Sequence, residues 1–250
     1  ADAFARACRV WDVVKPAGAM LAARRGDRPI AARPRLARRA VLGGALAASA
    51  ASAAFLAVRP PLGLWPSLSE FAADYRTAVG ERRDIALPGG SSILLNTRTA
   101  IALRGTDSTA ERIELIAGEA AVAARDAHRI EVTAGGARAV AADATFNVRY
   151  EGAAVCTTCI AGEIEVGAGD QVVRLGAGQQ VVYSADRLGA ATSIDPVVVT
   201  AWKEGVLVFH ATPLSEAVDE INRYRPGRII VTNSALGRRL FNARFQIANI

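Results

Sequence analysis

RIELIAGEAAVA runs from Arg112 to Ala123 in the middle of a long β-like pattern. Its apolar residues fall in short β-like segments, and Gly118-Glu119 interrupts them. The run predicts two strands, Arg112–Ile116 and Ala120–Ala123, joined through that Gly-Glu pair.

The same grammar extends in both directions. Upstream, Arg83 to Leu87 leads to Pro88-Gly89-Gly90-Ser91, where proline and glycine at the central positions suit a type II turn. Strands at Ile93–Leu95 and Ala100–Leu103 follow. Downstream come Arg129–Thr133, Ala137–Ala141, Thr145–Tyr150, Val155–Ile160, Glu163–Val166, Val172–Leu175 and Gln180–Tyr183. About ten short strands with tight turns predict a mainly β domain over residues 75–190, a sandwich or roll.

The pattern changes after residue 195. Val206–Phe209 reads as a strand, and Thr212-Pro213 as an N-cap with proline at N1. Leu214, Val218 and Ile221 mark one helix face with Tyr224 close beside it, and Pro226-Gly227 ends the helix. Arg228–Thr232 reads as a second strand. Residues 195–250 are therefore expected to form a small α+β (β-α-β) module, one that reads as incomplete and stops inside a further strand.

Ahead of the β domain lies AVLGGALAASAASAAFLAV, Ala40 to Val58, nineteen residues without a charge. As a helix it would span about 28 Å, the thickness of a bilayer's hydrocarbon core. Arg33, Arg35, Arg38 and Arg39 precede it, and Arg59 follows before Pro60-Pro61. The arginine excess predicts a single transmembrane helix with the N-terminus cytoplasmic and the larger part periplasmic. Two other readings stay open: an export signal, with Arg38-Arg39 as a twin arginine, and a buried soluble helix. Residues 1–39 read as a short helical cytoplasmic segment, with Phe4, Cys8, Trp11 and Val14 on one face, and a basic linker. Residues 59–74 read as a periplasmic linker.

The net charge of +6 points to nucleic acid only until it is placed. Residues 1–39 hold ten Arg/Lys against three Asp, whereas residues 60–250 hold nineteen basic against twenty-one acidic residues. The basicity is juxtamembrane, and topology and anionic lipid explain it without DNA.

Catalytic equipment is sparse. Cys156-Thr-Thr-Cys159 has metal or redox spacing, but it lies in a β-like segment where i and i+3 face opposite sides. Two separate thiols are expected there, unbridged. His128 and His210 have no clustered carboxylate or nucleophile, so no catalytic, cofactor-binding or metal-ligating residue is assigned and no enzyme is expected.

The motifs, taken in order, carry a resemblance. Tyr75-Arg-Thr-Ala-Val-Gly80, Leu87-Pro-Gly-Gly-Ser91, Leu95-Asn-Thr-Arg-Thr-Ala100, Gly118-Glu119-Ala120, Ala144-Thr-Phe-Asn-Val-Arg149, Ala161-Gly162-Glu163 and Ala177-Gly-Gln-Gln-Val181 are similar to the FecR family of periplasmic sensor domains. Gly89 stands where that family usually has Asp. Trp202, Gly205, Leu207, Phe209, Pro213-Leu214-Ser-Glu-Ala-Val218 and Asn222-Arg223-Tyr224 resemble its C-terminal signalling module, of the kind that opens secretins and TonB-dependent receptors. Trp11 and its neighbours resemble the end of the family's cytoplasmic domain.

The resemblance implies an inner-membrane regulator (anti-sigma factor) of an extracytoplasmic-function sigma factor. Its signal would come from a TonB-dependent outer-membrane receptor, of the kind importing ferric siderophores. The implied partners are that sigma factor and the receptor's signalling domain, with Trp11, Trp202, Val206, Val208 and Phe209 as candidate partner-binding residues. A non-catalytic envelope scaffold or a carbohydrate-binding β-sandwich is the competing class.

Overall fold

The strand β5, Ala110–Ala123, runs 14 residues without a break where two strands were expected. The computed structural model describes residues 73–250, apart from 107–109, 126–127, 152–153 and 185–186. The cytoplasmic segment with Trp11 and the apolar run 40–58 lie outside the described residues. Among the described residues no helix is long and apolar enough to cross a membrane.

The first half of β5 pairs antiparallel with β4 (Ala100–Thr106) and parallel with β6 (Arg129–Ala134), setting Ala110 beside Arg129. Its second half pairs antiparallel with β3 (Ser92–Leu95) and β8 (Thr145–Glu151). A straight strand of this length would hold its ends about 43 Å apart. The chain from Ala123 to Arg129 reaches only about 20 Å, yet it delivers Arg129 beside Ala110. The strand must therefore fold back on itself. It does so at Gly118, whose φ of +92° is closed to side chains, and a Cβ there would lie 2.4 Å from Thr99 Oγ1 and 2.5 Å from Thr99 Cα. On β4 the register slips at the same place, between Ala100 and Ile101.

The bend divides one sheet into two layers. From β6 the ladder continues through β7 (Ala137–Ala141) and β10 (Glu163–Ala168) to β11 (Gln171–Gly176), and β1 (Tyr75–Arg76) pairs with β4. From β8 it continues through β9 (Ala154–Ala161) and β12 (Gln179–Ser184) to the short β13 (Arg187–Leu188) and β14 (Thr192–Ser193). β2 (Arg83–Ala86) edges β3. Ile101, Ile113, Ile130 and Leu175 from one layer meet Leu95, Phe146, Val148 and Tyr183 from the other in a single buried core. Each such side chain contributes about 1.5–3 kcal/mol on burial. The mainly β fold is as expected, a roll in which one bent strand serves both layers.

Cys156 and Cys159 lie on β9 without a disulfide between them, Cys159 buried and Cys156 half-buried. Burial, aided by the Glu163 carboxylate, pushes the Cys159 thiol up from its usual range. The Pro88-Gly89-Gly90 turn forms, with Gly89 at φ +67° and its α-carbon face against His128, where a Cβ would come within 3.2 Å.

The C-terminal module departs from expectation in two places. Asp195 caps the short helix α1 (Pro196–Thr200) by accepting the Val197 N–H at 2.9 Å, and a 3-10 turn leads to β15 (Val206–Pro213) and helix α2 (Leu214–Arg223). Thr212 does not cap α2. It is buried in β15, Pro213 occupies the N-cap without a side-chain bond, and a bulge at Ala211 (φ +47°) intervenes. Arg228–Thr232 is no strand either. The Asn222 amide both accepts the Ile229 N–H (2.8 Å) and donates to the Ile229 carbonyl (2.9 Å), so a side chain takes the bonds a neighbouring strand would make. The partner of β15 comes later: after helix α3 (Ser234–Gly237), β16 (Leu240–Gln246) returns antiparallel to it.

Replacing Gly118 with alanine is expected to cost about 3 kcal/mol or more, through strained φ and overlap with Thr99. Gly169, at φ +56° with open space around it, should lose only about 1 kcal/mol on the same change. Urea unfolding of the two variants measures the difference.

Candidate functional site

The helix α2 was expected to bury Leu214, Val218 and Ile221. Val218 is buried, Leu214 and Ile221 are half-buried, and Ala217 and Tyr224 complete the apolar face. More telling is a buried cation at its end. Arg223 is 8% exposed and points at the β-domain, where it meets an acidic side chain from the bend of β5.

Glu119 follows Gly118, so the bend that folds the roll also turns this carboxylate outward through the second layer. It is buried at 3% exposure. Asn96 Nδ2 donates to Glu119 Oε2 at 2.9 Å, and Asn147 Nδ2 donates to Oε1 at 3.0 Å. Arg223 Nη2 lies 2.9 Å from Oε2, a charge contact rather than an aligned hydrogen bond. Arg223 Nη1 reaches Glu220 at 2.7 Å one helical turn back, and its Nε pairs with Glu151 at the end of β8. Arg149, also on β8, closes the circuit, 2.7 Å from Glu220 and 2.9 Å from Glu151. Tyr224 and Thr97 fasten the helix end: Asn96 Nδ2 donates to the Tyr224 hydroxyl at 2.7 Å, and Thr97 Oγ1 donates to the Arg223 carbonyl at 3.1 Å.

Three carboxylates and two guanidiniums thus meet across one seam. Burial alone would raise the Glu220 carboxyl, but the guanidiniums of Arg149 and Arg223 outweigh it and hold it at about 2. Burial disfavours both guanidiniums, and the Arg149 charge further disfavours that of Arg223, yet the surrounding glutamates raise both above the ordinary arginine value. Burial and the Glu119 charge push the Tyr224 phenol up. Removing one partner of such a network strands a buried charge, which costs about 3–5 kcal/mol.

The apolar side of the seam belongs chiefly to the module. Trp202, Leu207, Phe209, Ala217, Tyr224 and Ile247 form its core, and Ala121 with Leu94 are the β-domain residues that join it. Phe209, Phe241 and Phe245 pack at centroid separations of 6.0–6.2 Å. Of the candidate partner-binding residues, Trp202 and Phe209 are buried in this core, Val206 is buried and Val208 half-buried on β15, while Trp11 lies outside the described residues. His128 is half-buried beside Gly89, and exposed His210 has Nδ1 3.1 Å from Asn242 Oδ1. Among the described residues no group of three or more His, Cys, Asp or Glu could hold a metal ion.

Sequence reasoning did not select Glu119, Arg149, Glu151, Glu220 or Arg223. A signal existed: Leu95-Asn96-Thr97, Gly118-Glu119-Ala120 and Asn222-Arg223-Tyr224, three of the stretches that carry the resemblance, converge on this seam.

Comparison with known proteins agrees with the β-domain. Residues 73–165 match the family model described as FecR protein. Among curated proteins none matches. Two crystal structures, at 1.65 and 2.50 Å, of a protein provisionally described as an anti-sigma factor from Parabacteroides distasonis ATCC 8503 superpose with a TM-score of 0.59. Each is 23% identical and covers 69% of this chain and 84% of its own, a likeness of fold.

The position of Glu220 sets an acid limit on the seam. Its folded value lies below the ordinary 4.5, so its contribution is complete above 4.5 and disappears as pH falls towards 2. That contribution is on the order of 3 kcal/mol. Unfolding free energy measured from pH 6 to pH 2 should fall across this window, and Glu220→Gln should flatten the fall.

Proposed function

We propose that this chain, a FecR-type protein whose family match spans residues 73–165, regulates an extracytoplasmic-function sigma factor across the inner membrane. In this reading the apolar run Ala40–Val58 anchors the chain, residues 1–39 face the cytoplasm and restrain the sigma factor, and the β-domain with its C-terminal module lies in the periplasm. The observation that carries it is the convergence of three FecR-like stretches, from two ends of the described chain, on one buried charged seam. A likeness confined to local strand patterns would not bring Asn96, Glu119 and Arg223 into contact.

The same reading makes the C-terminal module the receiver of a signal from a TonB-dependent receptor, of the kind that imports ferric siderophores. Its surface chemistry suits a docking role. Ile229, Ile230, Leu236 and Leu240 are 39–72% exposed, and Arg228, Arg238, Arg239 and Arg244, from the same stretch of chain, are exposed as well. Residues 221–250 contain no Asp or Glu, so the face favours an acidic partner with apolar side chains. Trp202, Val206 and Phe209 are buried, and Val208 is the candidate nearest to solvent on β15.

Two measurements test the two ends. In a bacterial two-hybrid screen against the extracytoplasmic-function sigma factors of the source organism, residues 1–39 should interact with one of them, and a Trp11→Ala change should weaken the signal. No interaction would remove the sigma-factor assignment. On the periplasmic side, Ile230→Asp and Leu240→Asp should leave the fold intact, both side chains being largely exposed. They should reduce calorimetric affinity for the receptor's signalling domain at least about tenfold, the loss of roughly 1.4 kcal/mol. Unchanged affinity would move docking off this face.

A further inference from the structure

The seam between the β-domain and the C-terminal module is held in an unusual way. Among the described residues, the β-domain contributes only Leu94 and Ala121 to the hydrophobic cluster of the module. The polar contribution to the seam is dense: Arg223 and Glu220 on α2 face Glu119, Arg149 and Glu151 on β5 and β8, with Asn96 and Asn147 donating to Glu119. Arg82 adds two bonds from the edge, donating to the Trp202 and Lys203 carbonyls at 2.9 and 2.8 Å. Water can take over hydrogen bonds and charges on separation, and it cannot do so for apolar surface. A seam built this way separates without exposing a hydrophobic core. The module meanwhile keeps its own core of Trp202, Leu207, Phe209, Ala217 and Ile247, and its own ladder between β15 and β16.

The charges are also unequal. The five side chains carry three carboxylates and two guanidiniums, so the closed seam holds an excess negative charge. Arg223 is the member that touches all three glutamates. Loss of Arg223 leaves three carboxylates facing one guanidinium. Loss of the Glu151 charge, at the rim where that side chain is 34% exposed, leaves the remaining charges balanced.

We propose that this seam is a latch: the C-terminal module docks on and lifts from the β-domain as a folded body, with Arg223 as the residue that holds it closed. Opening uncovers the polar socket of Asn96, Glu119 and Asn147 on the β-domain and the Glu220, Arg223 and Tyr224 end of α2 on the module. Any partner that binds one of these faces shifts the population towards the open state by its differential affinity. The proposal concerns two bodies of this chain alone and does not depend on the sigma-factor reading.

The test uses the purified full chain in detergent micelles, by scanning calorimetry and amide hydrogen exchange, with Arg223→Gln and Glu151→Gln compared with the parent. The parent should melt in one transition. Arg223→Gln should melt in two, separated by about 10 °C or more, because the module no longer shares the stability of the β-domain. Below the first transition the β15–β16 ladder should retain its exchange protection within about threefold, the mark of a module that is released yet folded. Glu151→Gln should keep the single transition. A single, lowered transition in Arg223→Gln would overturn the latch, since the two bodies would then be one cooperative unit. Loss of ladder protection in Arg223→Gln would overturn it as well, since the module would then need the β-domain to fold. Splitting in Glu151→Gln equal to that in Arg223→Gln would refute the role given to Arg223.

Discussion

The bend of β5 at Gly118 joins the two layers of the roll and sets Glu119 in the seam. A strand shared by two layers cannot be straight, because the next strand must begin beside its first residue. The positive φ at Gly118 and the absence of a Cβ against Thr99 let the chain turn within a continuous ladder. Two consequences follow from one residue. The core of Ile113 and Phe146 is enclosed between the layers, and Glu119 is set at the place where the C-terminal helix arrives. Thr99 takes part in both, since its hydroxyl donates to the Glu119 carbonyl at 3.0 Å and accepts the Glu119 N–H at 3.0 Å.

Around Glu119 the energetics change character. Inside the roll, stability comes from apolar area, which is insensitive to exact geometry. At the seam it comes from charge, where desolvation of each ion nearly cancels its attraction and geometry decides the balance. Such contacts contribute little net cohesion and much registry. Arg223 can sit between Glu119, Glu151 and Glu220 in one orientation of α2, so the network defines how the module meets the β-domain more than how tightly.

The mainly β class of residues 75–190 was evident from apolar segments separated by Gly, Asn and Asp; β7 has the expected bounds, and those of β6, β10 and β12 differ from expectation by a residue or two. These elements are set by local pattern, which a sequence displays directly. The reading failed where the decisive partner is remote. Gly118 looks like a turn because a positive φ usually ends a strand, and the ladders from β3 and β8 that carry β5 through it come from residues about 25 to 30 positions away. Arg228–Thr232 has strand propensity, yet Asn222 satisfies Ile229 from the helix, and β16 takes the position beside β15.

The seam shows the same division most clearly. By itself the sequence determined which residues are charged, that Glu119 follows a glycine, and that Arg223 closes an amphipathic helix. It also carried the FecR likeness that residues 73–165 sustain. Only the tertiary structure decided that Asn96, Glu119, Arg149 and Arg223 meet. Their separations along the chain reach 128 residues in the Asn96–Tyr224 bond. No local periodicity encodes such a contact, because burial of a charge is favourable only once distant partners have already been brought to its side.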